Sequence, residues 1–579
     1  MRELAAHSPS RSARLLSILI PALAALIASA SLLLFGAALL PEQTSRLIVA
    51  VTGPLPTARE RIAQVIAERA RVAQIAAVAG IGAASVLVYW RRILSESASS
   101  IINAFIREWV RLRRRGLRRR VSFNRAELVC LLIIVAAGFA VRLAYINRTM
   151  RYDETYTWLG FASKPLFYVL TRYDAPNNHI FHSFLVHIST ALLGTAPWAI
   201  RLPSFLAGCL APVATYFLAE QLAGSRRGLI AAALVAACPM LIEYSVNARG
   251  YTISAFLVAI MTMAGVAARR SGNILAFAVF VVSAWIGVWT LPTVIMALAG
   301  AGLWFACSLR TAHRTTRRVL ARRALLSAAI LGGLIAASYA PVVIVTGFNQ
   351  LANNKFVSPR SWTTFLNLNS TELGYFSRYI FYGAPLEPAI PILAGLCAFL
   401  IFGRKTVLWG VVAAMCGGAA VFILGRQMVP FARVYLMYVP LLAAVLAHGV
   451  ASLFDSLARS PSWLHRSSAI ALACVGTVAV ALSGAVKDST ETWLFRAAPE
   501  IAAFLREHNA HVQMGEPSKI LLEYYGFENR PVDGRREEWR VINYEMEDSE
   551  RAVIEEVGVN AILEARSFDG ATLFRVPSP

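Results

Sequence analysis

Carboxylates are scarce in most of this chain. Of its 33 acidic residues, 18 lie between Asp488 and Asp569, so the long stretch before them is poor in acids. An acid in that stretch, wherever it borders a membrane surface, needs a reason. Cysteine is missing where it could pair. The seven cysteines (Cys130, Cys209, Cys238, Cys307, Cys397, Cys416 and Cys474) all lie inside apolar runs. That placement argues against a disulfide framework and against thiolate metal sites. There is no internal repeat, no low-complexity tract and no RNA- or DNA-binding motif to give the formal charge of +23 a nucleic-acid meaning.

What the chain has is apolar length. It is 57% hydrophobic with a mean hydropathy of +0.56, whereas soluble proteins run at about 45–50% apolar. Runs of about 17 to 25 apolar residues recur, each long enough to cross a hydrocarbon core. Thirteen are expected: near 15–40, 72–90, 128–146, 200–222, 227–243, 251–268, 272–289, 291–309, 324–347, 385–403, 406–424, 434–453 and 468–486. The arginines sit between them, in a cluster from Arg111 to Arg120 and at Arg226-Arg227, Arg269-Arg270, Arg310 to Arg323 and Arg404-Lys405. These loops alternate with outer ones, as the positive-inside rule requires, and their cations suit lipid head groups.

The expected organisation has three parts. Residues 1–121 form a two-span N-terminal extension with a basic cytoplasmic loop, and residues 122–486 form a transmembrane catalytic core. Residues 487–579 form a small α/β domain with a helix at Ala498 to Asn509, a strand at Ile520 to Tyr525 and a hairpin at Ala561 to Val576 turning at Asp569-Gly570. Parity places the N-terminus in the cytoplasm and the C-terminal domain outside, in a bacterial inner membrane. The parity holds if Ile180 to Leu193, about 14 residues and too short to span, lies at the interface.

On that topology the outer acids of the core are Asp153, Glu154, Asp174, Glu243, Glu372 and Glu387. Asp153 and Glu154 are adjacent in Arg151-Tyr-Asp-Glu-Thr-Tyr, just past the third span. On a helix start they diverge by about 100°, which implies separate jobs rather than a shared proton. The plainer alternative is that one of them caps an interfacial helix.

Asp174-Ala-Pro-Asn177-Asn178-His179-Ile-Phe-His182 concentrates polar side chains before the short helix. Asn177, Asn178, His179 and His182 suit contacts to a sugar, and His179 with Asp174 is a candidate pair for a divalent cation, although no third ligand is fixed by spacing. Arg201, Arg249, Arg378 and Arg433 stand at outer helix ends, where a guanidinium can snorkel or grip a phosphate. Arg249 belongs to the polar-aromatic cluster that includes Asn247 and Tyr251.

These motifs resemble those of the GT-C glycosyltransferases, of the group holding protein O-mannosyltransferases and bacterial lipid A aminoarabinose transferases. The resemblance rests on Arg142 before Asp153-Glu154, on Asn177-Asn178-His179, on Arg201-Leu-Pro-Ser-Phe-Leu-Ala-Gly208 with Arg226-Arg227-Gly228, on Asn247-Ala-Arg249-Gly-Tyr251, and on Arg433-Val-Tyr435. It runs in consistent order through roughly residues 127 to 453. It implies a helical polytopic fold and inverting transfer of a sugar from a polyprenyl-phosphate carrier to an acceptor hydroxyl outside the membrane. The acceptor would be a glycan, a lipid or a protein. Asp153 matches the position of the general base, and Glu154 joins it as a catalytic candidate. Where many relatives have His-Pro-Pro, this chain has Asn178-His179-Ile180. The alternative function is a flippase of lipid-linked sugars, which would more often show repeats and mid-membrane charges.

Overall fold

The computed structural model describes residues 125–173, 175–352, 358–368, 389–404, 406–428, 430–457, 495–514, 516–529, 537–543 and 562–577, with isolated positions elsewhere. Among these, seven helices are long and apolar enough to cross a membrane, or eight if one bent pair counts as a span. The protein is a multi-pass membrane protein. The expected spans near 15–40, 72–90 and 468–486 lie outside the described residues. Each of the others falls on a described helix.

The core begins with α1 (Arg125–Tyr145) and then stays outside the spans for α2 (Tyr152–Thr157, running on into a π-turn at Trp158–Ala162), α3 (Leu166–Thr171) and α4 (Ile180–Leu193). The long helix α5 (Pro197–Ala223) follows. The next expected span, 227–243, is broken into α6 (Ser225–Ala237) and α7 (Pro239–Ser245), which meet at 59°. Pro239 lacks the N–H that would continue the helix. Arg142, fully buried in α1, uses the break: it donates to Ala236 O at 3.1 Å, Gly138 O at 2.9 Å and Ser245 Oγ at 3.0 Å. A cation inside a span is tolerable when carbonyls and hydroxyls replace its water.

The chain continues through α8 (Tyr251–Ser271), α9 (Ile274–Thr290), α10 (Ile295–Leu309), α11 (Arg314–Val345), α12 (Ala389–Phe402), α13 (Val407–Arg426) and α14 (Val439–Leu457). A 3₁₀ turn, Ala432–Tyr438, leads into α14. Helices α5, α8 and α14 share the main buried core, whereas α1 and α11 are peripheral and expose Leu132, Ile133, Leu143, Leu325 and Ile330. That is the expected arrangement when lipid, not water, is the outer solvent.

Glycine sets the approach of α10 to α13. A Cβ on Gly418 would lie 2.3 Å from Gly300 N, and one on Gly300 would lie 2.5 Å from Met415 Cα. Backbone atoms cannot yield as a side chain can, and close small-residue crossings are how membrane helices gain packing. Gly418→Ala is therefore expected to cost about 1–3 kcal/mol by forcing the helices apart. Thermal inactivation in detergent would read the loss.

The C-terminal part carries α15 (Ala498–Glu507), β1 (Val512–Gln513), α16 (Glu516–Tyr524), β2 (Glu537–Asn543), β3 (Glu564–Phe568) and β4 (Ala571–Pro577). The sheet order is β1-β2-β4-β3, with β1 parallel to β2 and the other pairs antiparallel. The hairpin turns at Asp569-Gly570, as the sequence suggests. The strand expected at Ile520 to Tyr525 is instead the helix α16. Ser518, Leu521 and Leu522 are buried on one face, a helical spacing that the short Ile-Leu-Leu run conceals.

This part docks on the segment between α1 and α5. Tyr525 Oη accepts the Met150 N–H at 2.9 Å and Tyr524 Oη donates to Thr195 O at 3.1 Å. Met150, Ala162, Ile200 and Ala248 share one buried cluster with Phe495, Leu505 and Leu521.

Candidate active site

Helix α2 presents its two carboxylates in different directions. Asp153 is partly exposed, at 22% for its side chain, and Glu154 is completely buried. The roughly 100° between neighbours on a helix separates them.

Asp153 faces the open side. Its Oδ1 accepts from Asn177 Nδ2 at 3.0 Å, while Oδ2 lies 3.6 Å from Arg433 NH1 and 4.0 Å from Arg249 NH2. Burial opposes its ionisation, but the guanidinium of Arg249, followed by those of Arg433 and Arg151 and the Asn177 hydrogen bond, holds its pKa below the usual carboxylate value. Arg249, only 2% exposed, donates through NH1 to Asn177 O at 3.1 Å and to Thr157 Oγ1 at 3.4 Å, and its Nε has no hydrogen-bond partner. Arg433, on the 3₁₀ turn before α14, lies over the ring of Phe431.

The loop that carries Arg249 is pinned from three sides. Ser204 Oγ donates to Arg249 O at 2.8 Å, Gly250 N donates to His179 Nδ1 at 2.8 Å, and Ala248 N donates to Glu154 Oε2 at 3.0 Å. A Cβ on Gly250 would strike Thr290 Cγ2 at 2.6 Å and His179 Nδ1 at 2.9 Å, so the loop requires glycine there.

Glu154 and Arg201 form a closed unit behind Asp153. Arg201 donates from Nε to Oε2 at 2.8 Å and from NH2 to Oε1 at 2.5 Å; its remaining donors meet Ile146 O, Arg148 O and Thr149 O. Glu154 also accepts the Arg151 N–H at 2.9 Å, closing a capping box at the start of α2. Burial favours the neutral acid here, yet the Coulomb pull and hydrogen bonds of Arg201 outweigh it and lower the pKa of Glu154. Beside this pair the buried Glu243 meets both Arg148 and Arg151.

The remaining sequence candidates divide clearly. Asn177 joins Asp153. Asn178 is fully buried and ties Val169 O and Arg172 O, at 3.1 and 2.6 Å. His182 Nε2 meets Ser204 Oγ at 2.9 Å; because that hydroxyl donates to Arg249 O, His182 must be the donor. His179 is buried, accepts through Nδ1 and stacks edge-on against Tyr251 at 5.0 Å. Burial and then the nearby Arg249 push both histidines down, His182 to about 3, so both rings are neutral. Asn247 and Tyr251 are buried. Glu154, Arg201, Asn178, His182 and Asn247 are all buried; the polar atoms of Glu154 and Arg201 are engaged with each other and with the backbone, whereas Asn178 Oδ1, His182 Nδ1 and Asn247 Oδ1 have no hydrogen-bond partner. Arg378 and Asp174 lie outside the described residues. Among the described residues no three His, Cys, Asp or Glu side chains gather in a metal-binding group.

Sequence reasoning missed Arg148 and Arg151 as site cations, although they flank the acidic pair. It also missed Tyr525, for which no local signal exists. Counting the network, five guanidiniums (Arg148, Arg151, Arg201, Arg249 and Arg433) face three carboxylates (Asp153, Glu154 and Glu243). Arg148 and Arg433 are partly exposed, at 18% and 23% for their side chains, whereas Arg151, Arg201 and Arg249 are buried.

Residues 174–344, which include Asn177, His179, Arg201 and Arg249, match the family model described as dolichyl-phosphate-mannose-protein mannosyltransferase. Among solved structures, the chain is similar to ArnT from Cupriavidus metallidurans in the apo state, at 13% identity over 78% of this chain and 98% of that one, with a TM-score of 0.48. It is similar to the same protein bound to undecaprenyl phosphate, at 14% identity over 77% and 97%, with a TM-score of 0.43. It is also similar to the oligosaccharyltransferase AglB from Archaeoglobus fulgidus in complex with an inhibitory peptide and a dolichol-phosphate, at 13% identity over 70% of this chain, with a TM-score of 0.42. The chain spans 60% of the length of that oligosaccharyltransferase. A search among curated proteins returns no match.

Proposed function

We propose that the protein is a membrane glycosyltransferase that moves a sugar from a polyprenyl-phosphate donor to an acceptor hydroxyl at the outer face, with inversion. The observation that carries this reading is the charge arrangement at Asp153: one partly exposed carboxylate between the guanidiniums of Arg249 and Arg433. The family match supports it, since the description names a lipid-phosphate sugar as donor.

In the proposed reaction the acceptor oxygen bonds to the anomeric carbon as the bond from that carbon to the phosphate oxygen breaks. Asp153 takes the acceptor proton, and the electron pair of the broken bond leaves on the lipid phosphate. That phosphate goes from a diester with one negative charge to a monoester approaching −2. Arg249 and Arg433 therefore bind the leaving group more tightly as the reaction advances, which is what lowers a barrier. Glu154, Arg201 and Asn178 act as supports, holding α2 and the α3–α4 loop in place. A divalent cation belongs to this proposal as an option that a chelator tests; His179, named with Asp174 as a candidate ligand, spends its Nδ1 lone pair on the Gly250 N–H and as a neutral ring carries its proton on Nε2, so it would have to give up that bond or that proton to bind one.

The test is transfer of labelled sugar from polyprenyl-phosphate donors by purified wild type and Asp153→Asn protein in nanodiscs, with and without chelator. Transfer by wild type and its loss in the variant supports the reading. Movement of the lipid-linked sugar across the bilayer without transfer would make the protein a flippase.

A further inference from the structure

We infer that the donor phosphate and the Asp153 carboxylate compete for the same two guanidiniums, so that arrival of the donor is what frees Asp153 to act as a base. This rests on the glycosyltransferase reading above.

The geometry is that of a shared clamp. Charge-assisted N–H···O bonds run at about 2.7–2.9 Å, but Asp153 Oδ2 stands 3.6 Å from Arg433 and 4.0 Å from Arg249. The carboxylate is within the field of both cations and in hydrogen-bond contact with neither through those atoms. Its other oxygen is anchored by Asn177 Nδ2. Asn177 also accepts from Arg249 through its main-chain carbonyl, so one residue fixes both the acid and the cation and sets the gap between them. Arg249 is buried, and it is its NH2 that faces the Asp153 carboxylate across the gap.

Among the described residues, the charged and titratable groups around Asp153 are Arg151 at the start of α2, Arg249 from the loop before α8, Arg433 from the turn before α14, and the neutral His179 beside both arginines. Without donor, these cations keep Asp153 ionised and weakly basic. A phosphate that draws Arg249 and Arg433 to itself cancels their field at Oδ2, and the proton affinity of Asp153 rises. The base strengthens only when the leaving group is in place, which enforces donor before acceptor deprotonation and keeps the free site from activating stray hydroxyls.

The deciding measurement is binding of undecaprenyl phosphate, without sugar, to wild type and Asp153→Asn protein in nanodiscs. Removing the competing charge is expected to tighten binding by about tenfold or more, given one like charge a few ångströms from the phosphate. Arg433→Gln is expected to weaken binding and to shrink the gain from Asp153→Asn, a coupling that a merely structural role would not produce. In the active enzyme the acid limb of kcat, which reports the donor complex, is expected at higher pH than that of kcat/KM for donor, which reports the free enzyme. Equal or weaker binding by Asp153→Asn, or coincident limbs, overturns the shared clamp. The two readings fail separately: unchanged binding with lost transfer removes the clamp and leaves Asp153 as base, whereas normal transfer by Asp153→Asn removes the base itself.

Discussion

Asp153→Asn is expected to fold and insert like wild type and to lose sugar transfer by about 10²–10⁴-fold, the usual contribution of a general base. The carboxamide matches the carboxylate in shape, and its oxygen can still accept from Asn177 Nδ2. Because the side chain is about a fifth exposed, solvent softens the loss of its charge. The effect should fall on kcat, with no rise in KM for the donor, since Asp153 does not hold the phosphate in this scheme. Single-turnover transfer, which separates chemistry from product release, is the measurement. The pH dependence has a definite sign. A base whose pKa lies below the ordinary carboxylate value stays ionised at neutral pH, so kcat/KM should hold constant on the acid side until the pH falls into or below that range. A limb near pH 6.5 in kcat/KM would point to a histidine instead, against the buried and neutral His179 and His182.

How much of this was legible beforehand depended on the range of the interaction. Hydropathy located the described spans because crossing a bilayer needs only length and composition. The same signal could not reveal that the 227–243 span breaks, although Pro239 marks the place. The role of Arg142 at that break depends on Ser245, a hundred residues away in sequence. Asp153 and Asn177 were visible as unusual polar residues in an apolar chain. Arg201 and Glu154 were visible too, but their burial against each other was not. A guanidinium at a helix end reads the same whether it points at a phosphate or at a carboxylate 47 residues earlier. The C-terminal contact through Tyr525 and Met150 was beyond any local pattern, because it joins positions 375 residues apart.

Glu154→Gln is the change expected to cost the most stability, about 3–5 kcal/mol, the range for removing one member of a buried ion pair. Arg201 would remain with no exposure and no counter-charge, keeping the carbonyls of Ile146, Arg148 and Thr149 and at most one amide oxygen as acceptors. The new amide nitrogen would also face donors, since both carboxylate oxygens now accept: Oε1 from Arg201 NH2 and Arg151 N, and Oε2 from Arg201 Nε and Ala248 N. Two segments would loosen together, the start of α2 and the loop carrying Arg249, so transfer should fall through misplacement of Asp153 and Arg249. The pH behaviour follows from the direction of the shift. Glu154 has a folded pKa below its unfolded value, so its contribution is fully present above the ordinary glutamate range and is lost as pH falls through the folded value. Wild type should therefore lose thermal stability as the pH drops below about 4, and Glu154→Gln should lack this part of the acid loss. Replacing the pair together, Glu154→Leu with Arg201→Met, should recover only part of the stability: no charge is left stranded, but the Arg151 and Ala248 N–H groups and the carbonyls of Ile146, Arg148 and Thr149 lose their partners. A Glu154→Gln protein as stable as wild type and yet inactive would give the opposite answer, moving Glu154 from the support of the site into its chemistry.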